Sequence, residues 1–338
     1  MRECGNANEF LIHNSRFQIP NYAMGVYVLR RLLQAVPLLL VISLLVFLLI
    51  HAAPGGPLAI YLSNPNVRPE DIERLRRALG LDQPLWRQYL SWLSAFARGD
   101  WGYSFSDGRP VAERVLERLP ATLELTGVSV VVALLLTFPA GVFAAVLRGR
   151  WFDRLTTALA VAGISLPAFW FALMLQIVFA IGLGWFPSSG RTTFGAGDIA
   201  DRAQHLALPV AVLACLLAAG WSRYLRGSMI ETLAQPFVSA ARARGIPARQ
   251  VVLRHALRNA LAPIVTIVLL DAALMVSGAV VTESVFAWPG LGSLFTEALA
   301  RRDYTVLMAL LMLTSTTVVA LNLVADSAYA LLDPRISS

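Results

Sequence analysis

The sequence predicts an all-α protein that crosses a membrane six times. Three observations carry this expectation. Of the 338 residues, 57% are hydrophobic and only 14% charged, with a mean hydropathy of +0.63; soluble domains carry about a quarter charged residues. The apolar residues come in continuous runs that approach or exceed the ~20 needed to cross a ~30 Å hydrocarbon core. Those runs do not alternate apolar with polar positions, which excludes a transmembrane β-barrel.

In chain order, residues 1–23 are polar and irregular. They read as a short cytoplasmic tail, or as an extension ahead of a true start at Met24. The first span is expected near Leu32–Ile50, within a unit covering 24–53 and preceded by Arg30-Arg31. A cleaved signal peptide is the rival, but the run exceeds the usual 7–15-residue apolar region and Pro54 follows it, so a retained helix is expected. Residues 54–120 read as a structured extracytoplasmic segment. Pro69–Gly80 reads as a short amphipathic helix with acids first, arginines later and glycine at the end, the order a helix dipole favours. Pro84–Ala97 is a second, aromatic helix, and Pro110–Leu119 a third. Trp86, Tyr89, Trp92 and Trp101 suit an interfacial belt. Residues 121–338 are expected to form a five-helix core, with spans near Leu123–Leu147, Leu155–Leu183, Leu206–Trp221, Leu261–Val281 and Thr305–Ala325. Pro139, Pro167, Pro209 and Pro263 mark kinks or ends. Gly163 with Ser165, and Gly278 with Ala279, favour close helix approach.

Six spans place both termini on one side. The loop Ser228–Pro263 carries far more arginine than either short loop on the opposite face, so the termini and this loop are expected to be cytoplasmic. Every basic residue among the 28 is Arg. A G-x-x-x-x-G-K-[ST] nucleotide loop is therefore impossible here. The arginine excess is read as membrane topology, not nucleic-acid binding. Cys4 in the N-terminal tail and Cys215 inside an apolar span form no metal pattern and no expected disulfide, and the four histidines (His13, His51, His205, His255) are scattered, so no cofactor or metal is expected in this chain.

Ser228–Pro263 is also the longest polar stretch between two apolar spans, and it punctuates itself. Pro236 is tolerated at a first helical position. Phe237–Arg244 is a good short helix, Gly245 supplies a left-handed cap, and Pro247 blocks continuation. A second helix begins near Ala248 and runs into an apolar span. Phe237 and Ala241 are expected to share one face, and Val238 and Arg242 another. The stretch reads either as a knob fitting a groove on a soluble partner or as an ordinary basic loop.

Several motifs then occur in order: Leu79-Gly80-Leu81-Asp82-Gln83-Pro84, Pro120-Ala121-Thr122-Leu123-Glu124-Leu125, Ala240-Ala241-Arg242-Ala243-Arg244-Gly245, His255-Ala256-Leu257-Arg258-Asn259-Ala260, Thr282–Gly292 (TESVFAWPGLG) and Asp333-Pro334-Arg335. Together they resemble the permease subunits of bacterial binding-protein-dependent ABC importers, and more narrowly the first permease of the dipeptide, oligopeptide and nickel group. The resemblance runs from about Met24 to Arg335. It implies a plasma-membrane assembly with a homologous second permease, two ATP-binding cassette subunits that hold the ATP and Mg, and an extracytoplasmic solute-binding protein. It also implies that the stretch at about 236–245 is the ATPase-coupling helix, carried here by Phe237, Ala240, Ala241, Arg242, Arg244 and Gly245. The general motif has Glu where this chain has Ser239, and its proline falls earlier than Pro263, so no Glu-based contact carries over. The solute stays open among dipeptides, longer peptides, nickel chelates and glutathione-like molecules.

Asp271 lies inside the fifth span, where a carboxylate costs about 2.5–3.5 kcal/mol on insertion scales. It either lines the pathway and meets a cationic group, or pairs with an Arg or backbone of the second permease; the second role is the expected one. Glu124 and Glu283 near span ends are expected to be structural. A secondary transporter without ATPase partners is the alternative, but such folds show internal repeats over more spans.

Overall fold

A computed structural model describes residues 21–53, 58, 68–78, 80–195, 197–276 and 279–332. The expected tail through residue 20 and the Asp333-Pro334-Arg335 motif lie outside them. The described chain is helical: α1 Asn21–Ala52, α2 Pro69–Ala78, α3 Leu85–Ala97, α4 Val111–Val146, α5 Trp151–Ser165, α6 Ala168–Gly182, α7 Ile199–Leu233, α8 Pro236–Ala243, α9 Ala248–Val276, α10 Val280–Val285, α11 Leu291–Ala300 and α12 Tyr304–Leu332. Five helices are long and apolar enough to cross a membrane, and α5 with α6 makes six if that bent pair is one span.

Helices α4 and α7 form the central pair. Ala121, Leu125 and Ala133 of α4 pack with Val210, Leu213, Ala214, Ala218 and Trp221 of α7. Small residues set the spacing. A Cβ on Gly141 would lie 2.9 Å from Leu225 Cβ, and one on Gly163 would lie 2.9 Å from Ala219 Cβ. Helix α9 closes the end of the bundle nearest the Ser228–Pro263 loop, where Ala256, Ala260 and Ile264 meet Leu225 and Met229. At the other side α12 packs against α1 and α11.

Three expectations gain detail here. The third span is broken at Pro167, one of the prolines expected to mark kinks or ends: α5 and α6 meet at 103°. Leu166 before Pro167 is extended (φ −79°, ψ 127°), because the proline ring disfavours a helical residue ahead of it. The third outer helix is not separate; Pro110–Leu119 belongs to α4, which runs through Pro120 without a break. The carbonyl that Pro120 leaves without an N–H is that of Leu116, whose residue is 62% exposed, so the helix loses one bond and not its course. Three of the four belt aromatics are half-buried against their own chain. Tyr89 and Trp92 sit one helical turn apart and dock on Val46, Phe47 and Ile50 of α1 and Met308 of α12, while Trp101 stacks on Phe96 at 5.3 Å. Trp86 remains exposed, with Arg87 over its ring.

Candidate functional site

Helix α8 is clamped at both ends. Pro236 is its first residue. At its end Gly245 takes φ +78°, the Gly245 N–H donates to the Arg242 carbonyl at 2.9 Å, and the Ile246 N–H donates to the Ala241 carbonyl at 3.3 Å. This pair of reversed bonds is a Schellman cap. Its hydrophobic part is present too: Ile246 packs with Leu233 on the buried cluster of Val238, Ala241 and Val251.

The buried face is thus Val238 with Ala241, spaced i and i+3, one member from each of the expected pairs Phe237 with Ala241 and Val238 with Arg242. The reason is Val251 at the start of α9, which fixes which side of α8 turns inward. Phe237 and Arg242 lie on the two rims of that face. Ser239, Ala240, Ala243, Arg244 and Gly245 point to solvent. The outward surface is therefore a small-residue ridge flanked by one aromatic ring and two guanidinium groups. Ala241, grouped with that ridge from the sequence, instead anchors α8 to its own chain.

Helix α8 is joined to two spans, and those spans are braced to each other. Ser228 Oγ on α7 donates to the Ala260 carbonyl on α9 at 3.0 Å. Deeper in, Trp221 Nε1 donates to Asp271 Oδ2 at 2.6 Å. Asp271 is half-buried and Trp221 is 1% exposed. Asp271 thus finds a partner on its own chain, where pairing with a second permease was expected. A third strut joins α7 to α5: Arg226 Nη2 donates to Asp153 Oδ2 at 3.0 Å, and the Gly149 N–H donates to the same oxygen at 2.8 Å. Neither Trp221 nor the Asp153–Arg226 pair stood out in the sequence. Opposite charges separated by 73 positions leave no local pattern. The signal available was the rarity of charge inside spans, which singled out Asp271 but not its partner.

On the far side of the molecule two of the sequence motifs meet. Thr122 Oγ1 donates to Glu283 Oε1 at 2.9 Å and accepts the Leu291 N–H at 2.7 Å. The Ser293 N–H donates to Glu283 Oε2 at 3.0 Å, and Trp288 Nε1 donates to the Ala121 carbonyl at 2.8 Å. Glu283 is fully buried, with its carboxylate at the N-terminus of α11, where helix N–H groups favour negative charge. Burial pushes its carboxyl above the ordinary range, against the pull of these hydrogen bonds. The two glycines make room: a Cβ on Gly290 would lie 2.4 Å from Glu283 Oε2, and one on Gly292 would lie 2.7 Å from Val280 Cα. Glu124 is paired with Arg191, whose Nε donates to Glu124 Oε2 at 2.9 Å. A neighbouring knot ties the outer segment to α12. Buried Asp303 accepts from Ser104, and Arg114 lies 3.7 Å from Asp303 and 3.3 Å from Glu297.

A bundle of spans with a clamped, solvent-facing helix on one side and a tied-down loop system on the other is the architecture of a membrane transport subunit. The chain belongs to the family described as "Binding-protein-dependent transport system inner membrane component", which matches residues 137–338; the companion N-terminal family of the same systems matches residues 24–126. It is a multi-pass inner-membrane permease subunit of such a system. It is 41% identical over 315 residues to the oligopeptide transport system permease protein AppB of Bacillus subtilis, covering 93% of this chain and 99% of that one. It is also 41% identical over 310 residues to the glutathione transport system permease protein GsiC of Escherichia coli K12, covering 92% and 98%. Among solved structures, the inward-facing MetNI methionine ABC transporter shares the fold, with a TM-score of 0.53 at 20% identity over 65% of this chain and 96% of that chain.

Proposed function

We propose that this chain is the first permease of a peptide-type ABC importer and forms half of its translocation pathway with a homologous second permease. Two ATPase subunits bind the ATP and Mg, and an extracytoplasmic protein delivers the solute. Both termini are cytoplasmic, and α8 docks in an ATPase groove through Phe237, Ala240, Arg242 and Arg244, with Gly245 and buried Ala241 holding the helix in place. The observation that carries this reading is the clamp on α8. An eight-residue helix opened by Pro236, closed by a Schellman cap and joined by short turns to two braced spans transmits a push as a rigid body. The struts at Ser228–Ala260 and Trp221–Asp271 make α7 and α9 move with it, so a shift at the ATPase re-angles the bundle around the pathway.

The test is Ala240→Glu in the complex reconstituted with its ATPases and binding protein. This exposed substitution leaves the fold intact and puts bulk and negative charge in the docking ridge. Solute-stimulated ATP hydrolysis is expected to fall at least tenfold while the subunit still inserts; unchanged stimulation would remove α8 as the coupling element. Asp271 is assigned to bracing. Asp271→Asn is expected to lower uptake of cationic and neutral solutes alike, and a selective loss of cationic solutes would move it to the pathway wall.

A further inference from the structure

We infer that the groove between α4, α5 and α7 is a binding site for an anionic phospholipid, with an acyl chain in the groove and the phosphate held at Arg223. The groove has a volume of about 430 Å3 and is walled by Leu136, Ala140, Leu159, Gly163, Cys215 and Ala219. That is within the ~300–1,000 Å3 of built ligand sites. Its lining is apolar, with α5 contributing Leu159, Ala160 and Gly163 before the Pro167 bend and α6 contributing Phe171 beyond it.

At its lower end the groove passes, through Ala140, Thr156, Ala160 and Ser222, into a polar mouth that also holds Arg223 and Arg226. The two cations differ. Arg226 is engaged by Asp153. Arg223 is exposed and has no acidic partner within bonding range among the described residues. The hydroxyls at this mouth already donate within the chain, Thr156 to the Phe152 carbonyl, Thr157 to Asp153 and Ser222 to the Ala219 carbonyl, and Arg226 offsets the Asp153 carboxylate, so Arg223 is the group left to meet a phosphate there. Depth is marked by Trp151, 73% exposed at the first residue of α5. Tryptophan at a span end sits at headgroup level. A basic pocket between spans at headgroup level on the cytoplasmic side, where anionic lipids concentrate, recognises a lipid phosphate. The placement rests on the proposed cytoplasmic orientation of this end; the lipid chemistry does not depend on ATPase docking.

The probe is phosphatidylglycerol carrying a photoactivatable diazirine in one acyl chain, in phosphatidylcholine nanodiscs holding the full-length chain, with adducts mapped by mass spectrometry. Adducts are expected on the α5 and α7 walls of the groove. Arg223→Gln should reduce them about fivefold, the fold-change of the ~1 kcal/mol that one basic residue contributes at an anionic surface. Cys215→Leu, which fills the groove wall, should reduce them while adducts at exposed Leu49 on α1 stay constant. Inorganic phosphate at millimolar concentration should not compete. Equal labelling by a phosphatidylcholine probe, labelling insensitive to both substitutions, or competition by inorganic phosphate would overturn the assignment. So would disappearance of the adducts when the partner subunits are present, which would make the groove a subunit interface. Failure of ATPase coupling through α8 would leave all of these readouts unchanged, so the two readings fail separately.

Discussion

Replacing Glu283 tests whether the TESVFAWPGLG motif is a structural knot. The carboxylate takes the Thr122 hydroxyl on one oxygen and the Ser293 N–H on the other. Glu283→Ala leaves both donors buried and unmet, at about 1–3 kcal/mol each, and adds a cavity, so a loss of about 4 kcal/mol is expected. Glu283→Gln behaves differently. Its carbonyl oxygen can keep the Ser293 N–H, and its amide can donate to Thr122 Oγ, whose hydroxyl rotates. The Gln variant should lose about 1 kcal/mol. The assay is thermal unfolding of the purified complex in nanodiscs. At roughly 2–4 °C per kcal/mol for a chain of a few hundred residues, Ala should melt on the order of 10 °C lower and Gln within a few degrees. Gly290→Ala should resemble Glu283→Ala, because its Cβ would press on the same carboxylate at 2.4 Å. If Ala and Gln melt together, or Gly290→Ala melts like the native chain, the carboxylate is not what holds this loop.

Other substitutions probe the remaining struts. At Gly245 an added Cβ meets nothing within 4 Å, so Gly245→Ala costs only its left-handed backbone, about 1–2 kcal/mol; coupled ATP hydrolysis should weaken with little change in overall melting temperature. Arg226→Ala leaves buried Asp153 without its cation and should cost about 3 kcal/mol in thermal unfolding, with Asp153→Asn in the same chain restoring part of it. Burial alone would raise the Asp107 carboxyl, but the Arg109 N–H, the Ser104 hydroxyl and the charges of Arg114 and Arg109 together hold it below its ordinary value. Its contribution is therefore present at neutral pH and lost as pH falls below about 4. Asp107→Asn should flatten part of the acid limb of the melting curve, and an unchanged limb would assign that loss to other carboxylates.

Much of the functional region was legible in the chain because its signals are local. Pro236, Gly245 and Pro247 punctuate a short helix by backbone geometry alone, and that helix occurs where the punctuation places it. Glu283 and Gly290 were readable as motif members but not as partners; only the fold brings a carboxylate and a glycine seven positions apart into contact and sets Thr122 between Glu283 and the Leu291 N–H. The direction of the α8 faces was not legible either. Two apolar stripes compete on an eight-residue helix, and the winner is decided by Val251, which lies beyond a turn.

The sequence by itself determined that this is a multi-span helical membrane protein without a P-loop of its own, and it located the short capped helix between two spans that is proposed to dock on the ATPase. Those conclusions rest on transfer of apolar runs into lipid and on backbone rules, which act residue by residue. Tertiary structure alone decided that Asp271 leans on Trp221, that Asp153 takes Arg226, and that Ala241 faces inward. Each of these is a pairing between distant segments. Such pairings are chosen by how helices pack and by the need to satisfy every charge that enters the membrane, and neither is written in the order of neighbouring residues.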